Sequence, residues 1–194
     1  MKILVLDNYD SFTYNLVYII RDLGYGDSMD IFRNDKINLE EVGAYDKILL
    51  SPGPGVPSEA GIMPELIRKY APHKDILGIC LGNQAIGEAF GGGLINLTEV
   101  VHGVASKIKI QPDGLFKGLP EYFTVGRYHS WVIDATQVPE ELEVISNTPD
   151  GQIMAIRHKK FNVKGLQFHP ESILTEHGVQ IMKNWLEGVK ITNK

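Results

Sequence analysis

The first half of the chain alternates short apolar runs with helical patterns, and this alternation limits the possible folds more than any other feature of the sequence. The predicted strands cover residues 2–6, 28–33, 47–50 and 76–79. The predicted helices cover residues 12–23, 64–70 and 84–90. Strands that alternate with helices on so short a period are typical of a doubly wound, mostly parallel α/β sheet flanked by helices. In such a sheet, ligands bind beyond the carboxyl ends of the strands.

The second half of the chain has a different pattern, with many strands and little helix. The predicted strands cover residues 106–110, 122–127, 142–146, 153–157 and 163–168. We expect a mostly antiparallel extension of the same sheet, or a small second sheet. A last helix is predicted over residues 176–187, ended by Gly188. The length of 194 residues predicts one domain over residues 1–194.

Composition and charge predict an ordinary globular enzyme or binding module. Hydrophobic residues make up 43% of the chain, charged residues make up 22%, and the net charge is −5. The densest basic cluster, residues 157–160, is short and is expected at a solvated hairpin tip. We therefore expect neither nucleic acid nor a membrane as a partner. One cysteine cannot form an internal disulfide, and no apolar run has the length of a signal-peptide core or a membrane span, so we expect a cytoplasmic protein.

Residues 76–84 contain the only cysteine of the chain, Cys80, between a predicted strand and a predicted helix. The spacing of Gly78, Cys80 and Gly82 matches a nucleophile elbow in which cysteine replaces serine. The two glycines leave room for a sharp turn, and the start of a helix favours the thiolate form of a cysteine. The backbone N–H of Leu81 would then be free to face a developing oxyanion. The alternative is that Cys80 is simply a small buried hydrophobic residue.

A His-Pro-Glu motif follows the predicted strand 163–168. Pro170 favours extended backbone at His169, so that His169 and Glu171 can lie close together. The carboxylate could then orient the imidazole, whose other nitrogen would face Cys80 as a general base. The alternative is a surface turn with incidental polar residues.

Two further segments could belong to the same site. His129, in the polar segment 127–131, is a rival candidate for the base, although no carboxylate lies two residues away. The Pro-Gly-Pro-Gly loop at residues 52–55 could supply a second oxyanion donor beside Leu81, or it could be only a rigid turn. It lacks the lysine and spacing of a P-loop. The other histidines show no metal-ligand spacing, so we predict no metal site in this chain.

Together these motifs resemble the class I (triad) glutamine amidotransferases, over almost the whole chain. The similar stretches are residues 7–13, 51–55, 78–84, 127–130 and 167–172. The resemblance implies the flavodoxin-like fold of that family. It also implies that Cys80 attacks the side-chain amide of glutamine, that His169 acts as base and then as acid, and that Glu171 orients His169.

The resemblance further implies a substrate site and a partner. The oxyanion hole would be formed by the backbone N–H groups of Gly55 and Leu81. The residues expected to hold glutamine are Gly53, Pro54, Gly55, Gln84, Ser130 and Trp131. Ammonia would pass to a larger partner subunit that carries chorismate and Mg²⁺, with no cofactor in this chain.

Within the family, residues 7–13 and 127–130 are most similar to the small subunits of anthranilate synthases. The small subunits of 4-amino-4-deoxychorismate synthases are closely similar and are not separated from them by the sequence. A free-standing γ-glutamyl hydrolase, an inactive regulatory module and a flavodoxin-like cofactor binder also stay open. The family usually has histidine where this chain has Asn83, so we expect activity to persist with altered hydrogen bonding around Gln84.

Overall fold

A computed structural model describes residues 1–188, so the last six residues of the predicted domain 1–194 lie outside the described part. The strands in the described part are β1 Ile3–Asp7, β2 Met29–Arg33, β3 Lys47–Leu50, β4 Asp75–Ile79, β5 Leu94–Ile110, β6 Tyr122–Ile133, β7 Leu142–Asn147, β8 Ile153–His158 and β9 Val163–Leu166. The α-helices there are α1 Thr13–Ile20, α2 Met63–Tyr70, α3 Leu81–Ala89 and α4 Gly178–Glu187.

Within residues 1–188 the strands form one nine-stranded sheet in the order β2-β1-β3-β4-β9-β8-β7-β5-β6. The pairs from β2 through β9 are parallel, and the pairs from β9 to β6 are antiparallel. Strand β9 joins the two parts, because Leu166 pairs with Ile79 of β4 on one side and with Ala155 of β8 on the other. The predicted fold class is confirmed, and the antiparallel strands extend the same sheet.

The central parallel strands β1, β3 and β4 are mostly apolar and fully buried because helices cover both faces of this part of the sheet, whereas the edge strand β2 is partly exposed. Val5 packs into the cluster that contains Leu16 of α1 and Met182 of α4. Its neighbour Leu4 packs into the opposite cluster, which contains Leu66 of α2. Successive side chains of a strand point to opposite faces, so both faces need apolar residues.

Several element boundaries differ from the predicted ones. Helix α1 ends at Ile20 and continues as a π-helical turn, Arg21–Tyr25. Helix α4 begins at Gly178, two residues later than predicted, because His177 takes a left-handed conformation with φ of +61°. Helix α3 begins at Leu81, three residues earlier than predicted. The predicted first and last residues of helices are off by a few positions because hydrophobic spacing identifies a helix better than it identifies the helix ends.

The largest difference concerns β5, which was predicted only over residues 106–110 and in fact extends over Leu94–Ile110. Most of its side chains are exposed, so the segment has no apolar alternation to reveal a strand. It pairs with β6 across two irregularities in register, between Asn96 and Val101 and between His102 and Val104. The added length carries residues 100–102 to the candidate site described below.

The basic cluster 157–160 lies at the β8–β9 hairpin, as expected, but it is not solvated throughout. Arg157 pairs with Asp113 at 3.0 Å and with Glu143 at 2.8 Å, and His158 is buried. Only the two lysines that follow are exposed at the turn. Separately, none of the helices in residues 1–188 combines the length and apolar character needed to cross a membrane.

Candidate active site

Cys80 occupies the sharp turn between β4 and α3. Its φ of +52° and ψ of −100° lie outside the regions that side chains favour, so the backbone is strained there. A side chain at Gly78 would collide with the backbone of Gly82, and one at Gly82 would meet the carbonyl oxygen of Leu50 at 2.6 Å. The backbone N–H of Cys80 donates to the oxygen of Leu166 at 2.7 Å. The turn therefore has the geometry of the predicted elbow, and both glycines are required by close approach.

The cysteine sulfur is enclosed but reaches a cavity. Cys80 is 6% exposed. Its Sγ lies 3.8 Å from the carbonyl oxygen of Tyr128 and 3.6 Å from Nε2 of Gln167. Cys80 also lines a cavity of about 190 Å³ at the carboxyl edge of β4. Cys80 is thus buried and also lines a cavity. A cysteine that only fills space in the core would not need to face a cavity.

His169 and Glu171 form a buried pair beside this cysteine. His169 Nδ1 lies 2.6 Å from Oε1 of Glu171, and the side chains are 2% and 0% exposed. Among the residues described, Nε2 of His169 has no hydrogen-bond partner. Burial lowers the pKa of His169, but interactions with Cys80 and Glu171 outweigh it and raise that pKa to about 10. Folding therefore brings the predicted nucleophile, base and orienting carboxylate together.

Aromatic rings enclose the His169 imidazole. The ring of Tyr128 lies 5.1 Å from it between centroids, and the ring of Phe12 lies 5.6 Å away. The Tyr128 hydroxyl is 3.1 Å from the Ser172 hydroxyl. These contacts restrict the orientation of the imidazole and exclude water from one side of it.

The rival histidine, His129, has a very different environment. It lies on β6 and is buried, and Arg127 Nε donates to its Nε2 at 3.1 Å. Burial, together with the charges on Arg127 and His169, lowers the pKa of His129 to about 3. A histidine that is neutral at all physiological pH values and so reluctant to accept a proton is a poor general base. The geometry favours His169 for that role.

The residues predicted to hold the substrate surround one cavity. Those that line it are Gly53, Pro54, Gly55, Gln84, Ser130 and Trp131. Leu81 is buried beside Cys80, and its N–H belongs to the first residue of α3, where helical N–H groups have no partner within the helix. Val100, Val101 and His102 of β5 complete the wall. These three were missed, since their part of β5 carries no strand signal.

The loop 51–55 is held in place by a residue that was not singled out in the sequence, Asn8. Its backbone N–H donates to the side-chain Oγ of Ser51 at 2.9 Å, and its side-chain Nδ2 donates to the backbone carbonyl oxygen of Ser51 at 2.8 Å. A side chain at Gly53 would lie 2.6 Å from Asn8 Cβ and 2.7 Å from Leu81 Cδ2. The loop is therefore packed tightly against the start of α3, which places Gly55, with φ of +72°, at the cavity.

Three amide side chains form a buried cluster next to the sulfur. Gln84 Nε2 donates to the oxygen of Trp131 at 2.8 Å and to Oε1 of Gln167 at 3.2 Å. Asn83 Nδ2 donates to the same Oε1 at 3.5 Å. Asn83 is fully buried against Gly165, where there is no space for a further side chain. Asn83 therefore belongs to the hydrogen bonding around Gln84. Gln167 was not predicted as a site residue, although it lies two residues before His169.

The fold and the arrangement together have the parts that acyl transfer by a cysteine requires: a nucleophile at an elbow, an imidazole oriented by a carboxylate, and backbone N–H groups at a cavity. In the described part of the chain, no group of three or more His, Cys, Asp or Glu side chains is placed to hold a metal ion. The site lies at the carboxyl ends of parallel strands, as a doubly wound sheet leads one to expect.

Comparison with known proteins identifies the family. The model of the family described as glutamine amidotransferase class-I matches residues 4–189, and the chain belongs to that family, which confirms the predicted resemblance. The chain is 46% identical to "Anthranilate synthase component 2" of Pseudomonas aeruginosa, over 95% of this chain and 94% of that protein. It is 45% identical to "Aminodeoxychorismate synthase component 2" of Escherichia coli, over 95% of this chain and 98% of that protein.

The chain also matches part of a longer protein and a solved structure. It spans 32% of the length of a bifunctional protein from Thermotoga maritima, with 43% identity over 95% of this chain. A crystal structure described as a GMP synthase subunit from Thermoplasma acidophilum superposes with a TM-score of 0.85 at 28% identity, covering 96% of this chain and 92% of that one.

Proposed function

We propose that this chain is the glutamine-hydrolysing subunit of a chorismate-using synthase, and that anthranilate synthase is its first candidate. The observation that carries the proposal is the placement of Cys80 beside the His169–Glu171 pair, at a cavity lined by every residue predicted to hold glutamine. Anthranilate synthase component 2 proteins of several organisms are 44–47% identical over nearly the whole chain, which supports the choice of synthase.

The proposed reaction begins when the Cys80 sulfur attacks the side-chain amide carbon of glutamine. Because its pKa is raised, the His169 ring already holds the proton taken from the thiol before the attack, and the tetrahedral oxyanion accepts hydrogen bonds from the N–H groups of Gly55 and Leu81. The carbon–nitrogen bond then breaks, His169 gives the proton to the departing ammonia, and a glutamyl thioester remains. Glu171 holds Nδ1 throughout and stabilises the charged imidazole.

Hydrolysis of the thioester completes the cycle. His169 removes a proton from water, which attacks the thioester carbonyl carbon, and the same oxyanion site stabilises the second tetrahedral intermediate. Collapse breaks the carbon–sulfur bond and releases glutamate, which leaves an anionic sulfur and a protonated imidazole as at the start of the cycle. The ammonia is proposed to pass to a larger subunit that binds chorismate and Mg²⁺, which agrees with the "component 2" in the relatives' names.

A second candidate function is the amidotransferase subunit of 4-amino-4-deoxychorismate synthase. It is supported by the Escherichia coli relative, which is 45% identical and covered over 98% of its length. The two candidates share the glutamine site and differ only in the partner subunit. The two candidate functions are therefore distinguished by which large subunit binds to the surface of this chain.

The test is reconstitution with each type of large subunit. We expect slow glutamine hydrolysis by the isolated chain and a large increase with the correct partner and chorismate, because a subunit that supplies ammonia should not waste glutamine. Cys80→Ala should abolish the glutamine-dependent product and leave the ammonia-dependent product nearly unchanged. Full-rate hydrolysis of glutamine or γ-glutamyl peptides by the chain alone would instead support a free-standing hydrolase.

A further inference from the structure

Gln167 lies directly after β9 and is completely buried. Its backbone N–H donates to the oxygen of Met154 at 2.9 Å, which anchors it to β8. Its side chain turns toward α3, where it meets Asn83, Gln84 and the sulfur of Cys80. The proposed reaction gives this amide no role.

The contacts determine which way the amide of Gln167 faces. Gln84 Nε2 lies 2.8 Å from the backbone oxygen of Trp131, which can only accept, so that atom of Gln84 is a nitrogen donor. The same nitrogen lies 3.2 Å from Oε1 of Gln167. With Asn83 Nδ2 at 3.5 Å as a second donor, the atom of Gln167 on this side must be an acceptor.

The opposite end of the amide therefore presents its N–H₂ group to Cys80, with Nε2 3.6 Å from Sγ. A flipped amide would place two sets of N–H donors against each other and leave an oxygen facing the sulfur. Such a loss of two hydrogen bonds between buried groups is costly.

The two polar contacts of the sulfur have opposite effects. The carbonyl oxygen of Tyr128, 3.8 Å away, can only accept a hydrogen bond and so favours the neutral S–H form. The Gln167 N–H₂ group can only donate and so favours the anionic sulfur. The balance between them matters because the sulfur is almost enclosed by protein.

We propose that Gln167 is a positioning residue that stabilises the anionic sulfur of Cys80, and that Asn83 and Gln84 hold its amide in the donating orientation. The inference deepens the proposed function, on which it rests, since it assumes that Cys80 is the nucleophile. It also gives Asn83 a role, because this residue reaches the sulfur through Gln167.

The test measures how fast iodoacetamide alkylates Cys80 in the native chain, between about pH 5 and pH 9. Gln167→Met keeps the length of an unbranched side chain and removes the donor. Gln167→Glu keeps the shape and replaces the donor by a second acceptor oxygen. We expect the pH of half-maximal rate to rise in both, by about one unit or more in Gln167→Glu, where a negative charge opposes the thiolate.

The matched control is Gln180→Met on α4, whose amide bonds only Asn184 at the surface among the described residues, and it should keep the wild-type profile. A merely structural role for Gln167 would lower the melting temperature and leave the pH profile unchanged. If either Gln167 variant folds and its alkylation rate shows the same pH dependence as the wild type, the inference is wrong. The test therefore needs only one of the two variants to fold.

Failure of this inference can be told apart from failure of the proposed function. If the wild-type chain with its partner shows glutamine-dependent activity while the alkylation profile of the variants is unchanged, only the inference is wrong. If the profile moves as expected but the wild type never hydrolyses glutamine with either partner, the proposed function is wrong and the effect of Gln167 on the sulfur stands.

Discussion

Two buried histidines lie in the candidate site, and their surroundings give them opposite chemistry. His169 follows β9 and has a carboxylate on one nitrogen and Cys80 on the side of the other, so its pKa is raised to about 10. His129 lies on β6 with a guanidinium on one nitrogen, and burial and that charge lower its pKa to about 3. Burial alone disfavours a charged imidazole, and hydrogen bonds and negative charge from Cys80 and Glu171 reverse that effect at His169. A place in the same site as Cys80 is therefore insufficient to suit a histidine to the proposed role of base.

The largest expected effect is that of removing the imidazole at position 169. His169→Ala should lower the glutamine-dependent rate of the reconstituted complex at least about a thousandfold, because both proton transfers depend on this ring. The ammonia-dependent rate of the same preparation is the control and should be retained. His129→Ala, if it lowers the glutamine-dependent rate as much, would reverse the assignment of the two histidines.

Removing the charge of the orienting carboxylate should have a smaller effect. Glu171→Gln keeps a hydrogen-bond acceptor near Nδ1 but removes the negative charge that favours the protonated ring, so we expect about a 10- to 100-fold loss in kcat. The measurement is kcat against pH, which should show a weaker base than in the wild type. A loss equal to that of His169→Ala, with folding intact, would mean that Glu171 does more than orient the ring.

The two histidines should also act on stability at opposite ends of the pH scale. The unfolded chain protonates position 129 below its ordinary pKa of 6.5, whereas the folded chain does so only near pH 3, so acidification through this range favours unfolding. His169 contributes stability that is complete below pH 6.5 and is lost as the pH rises toward 10.

His129→Gln should therefore lose less stability than the wild type when the pH is lowered from 6.5 toward 4. The difference should be at most about 1.4 kcal/mol per pH unit, measured as the free energy of unfolding in urea. The control is His73→Gln, at an exposed position, which should follow the wild type. Parallel curves for wild type and His129→Gln would show that His129 is protonated normally in the folded state.

The smallest effect is expected at position 83. Asn83→His introduces the residue usual in the family, and a neutral imidazole can also donate a hydrogen bond to Oε1 of Gln167. Glutamine turnover in the complex should change less than about threefold. A change of tenfold or more, which corresponds to about 1.4 kcal/mol of barrier, would show that this position controls catalysis more directly than through Gln167.

The features that are determined by residues close together in the sequence were predictable from the sequence. Apolar runs and helical spacing predicted the alternating strands and helices, because burial on both faces requires that pattern. Gly78 and Gly82 predicted the elbow at Cys80, since the steric demand of a sharp turn acts over a few residues. The closeness of His169 and Glu171 was likewise predictable from two residues of extended chain.

What only the tertiary structure decided depends on residues far apart in the chain. The order of strands in the sheet brings the end of β9 beside the end of β4, and so His169 beside Cys80. The sequence placed Glu171 near His169, but the burial of both histidines and the position of Cys80 beside His169 were decided by the tertiary structure. The exposed part of β5 had no local pattern to mark it, because its position follows from pairing with β6. Gln167 lies in one of the motifs, but the direction of its amide follows from packing against α3.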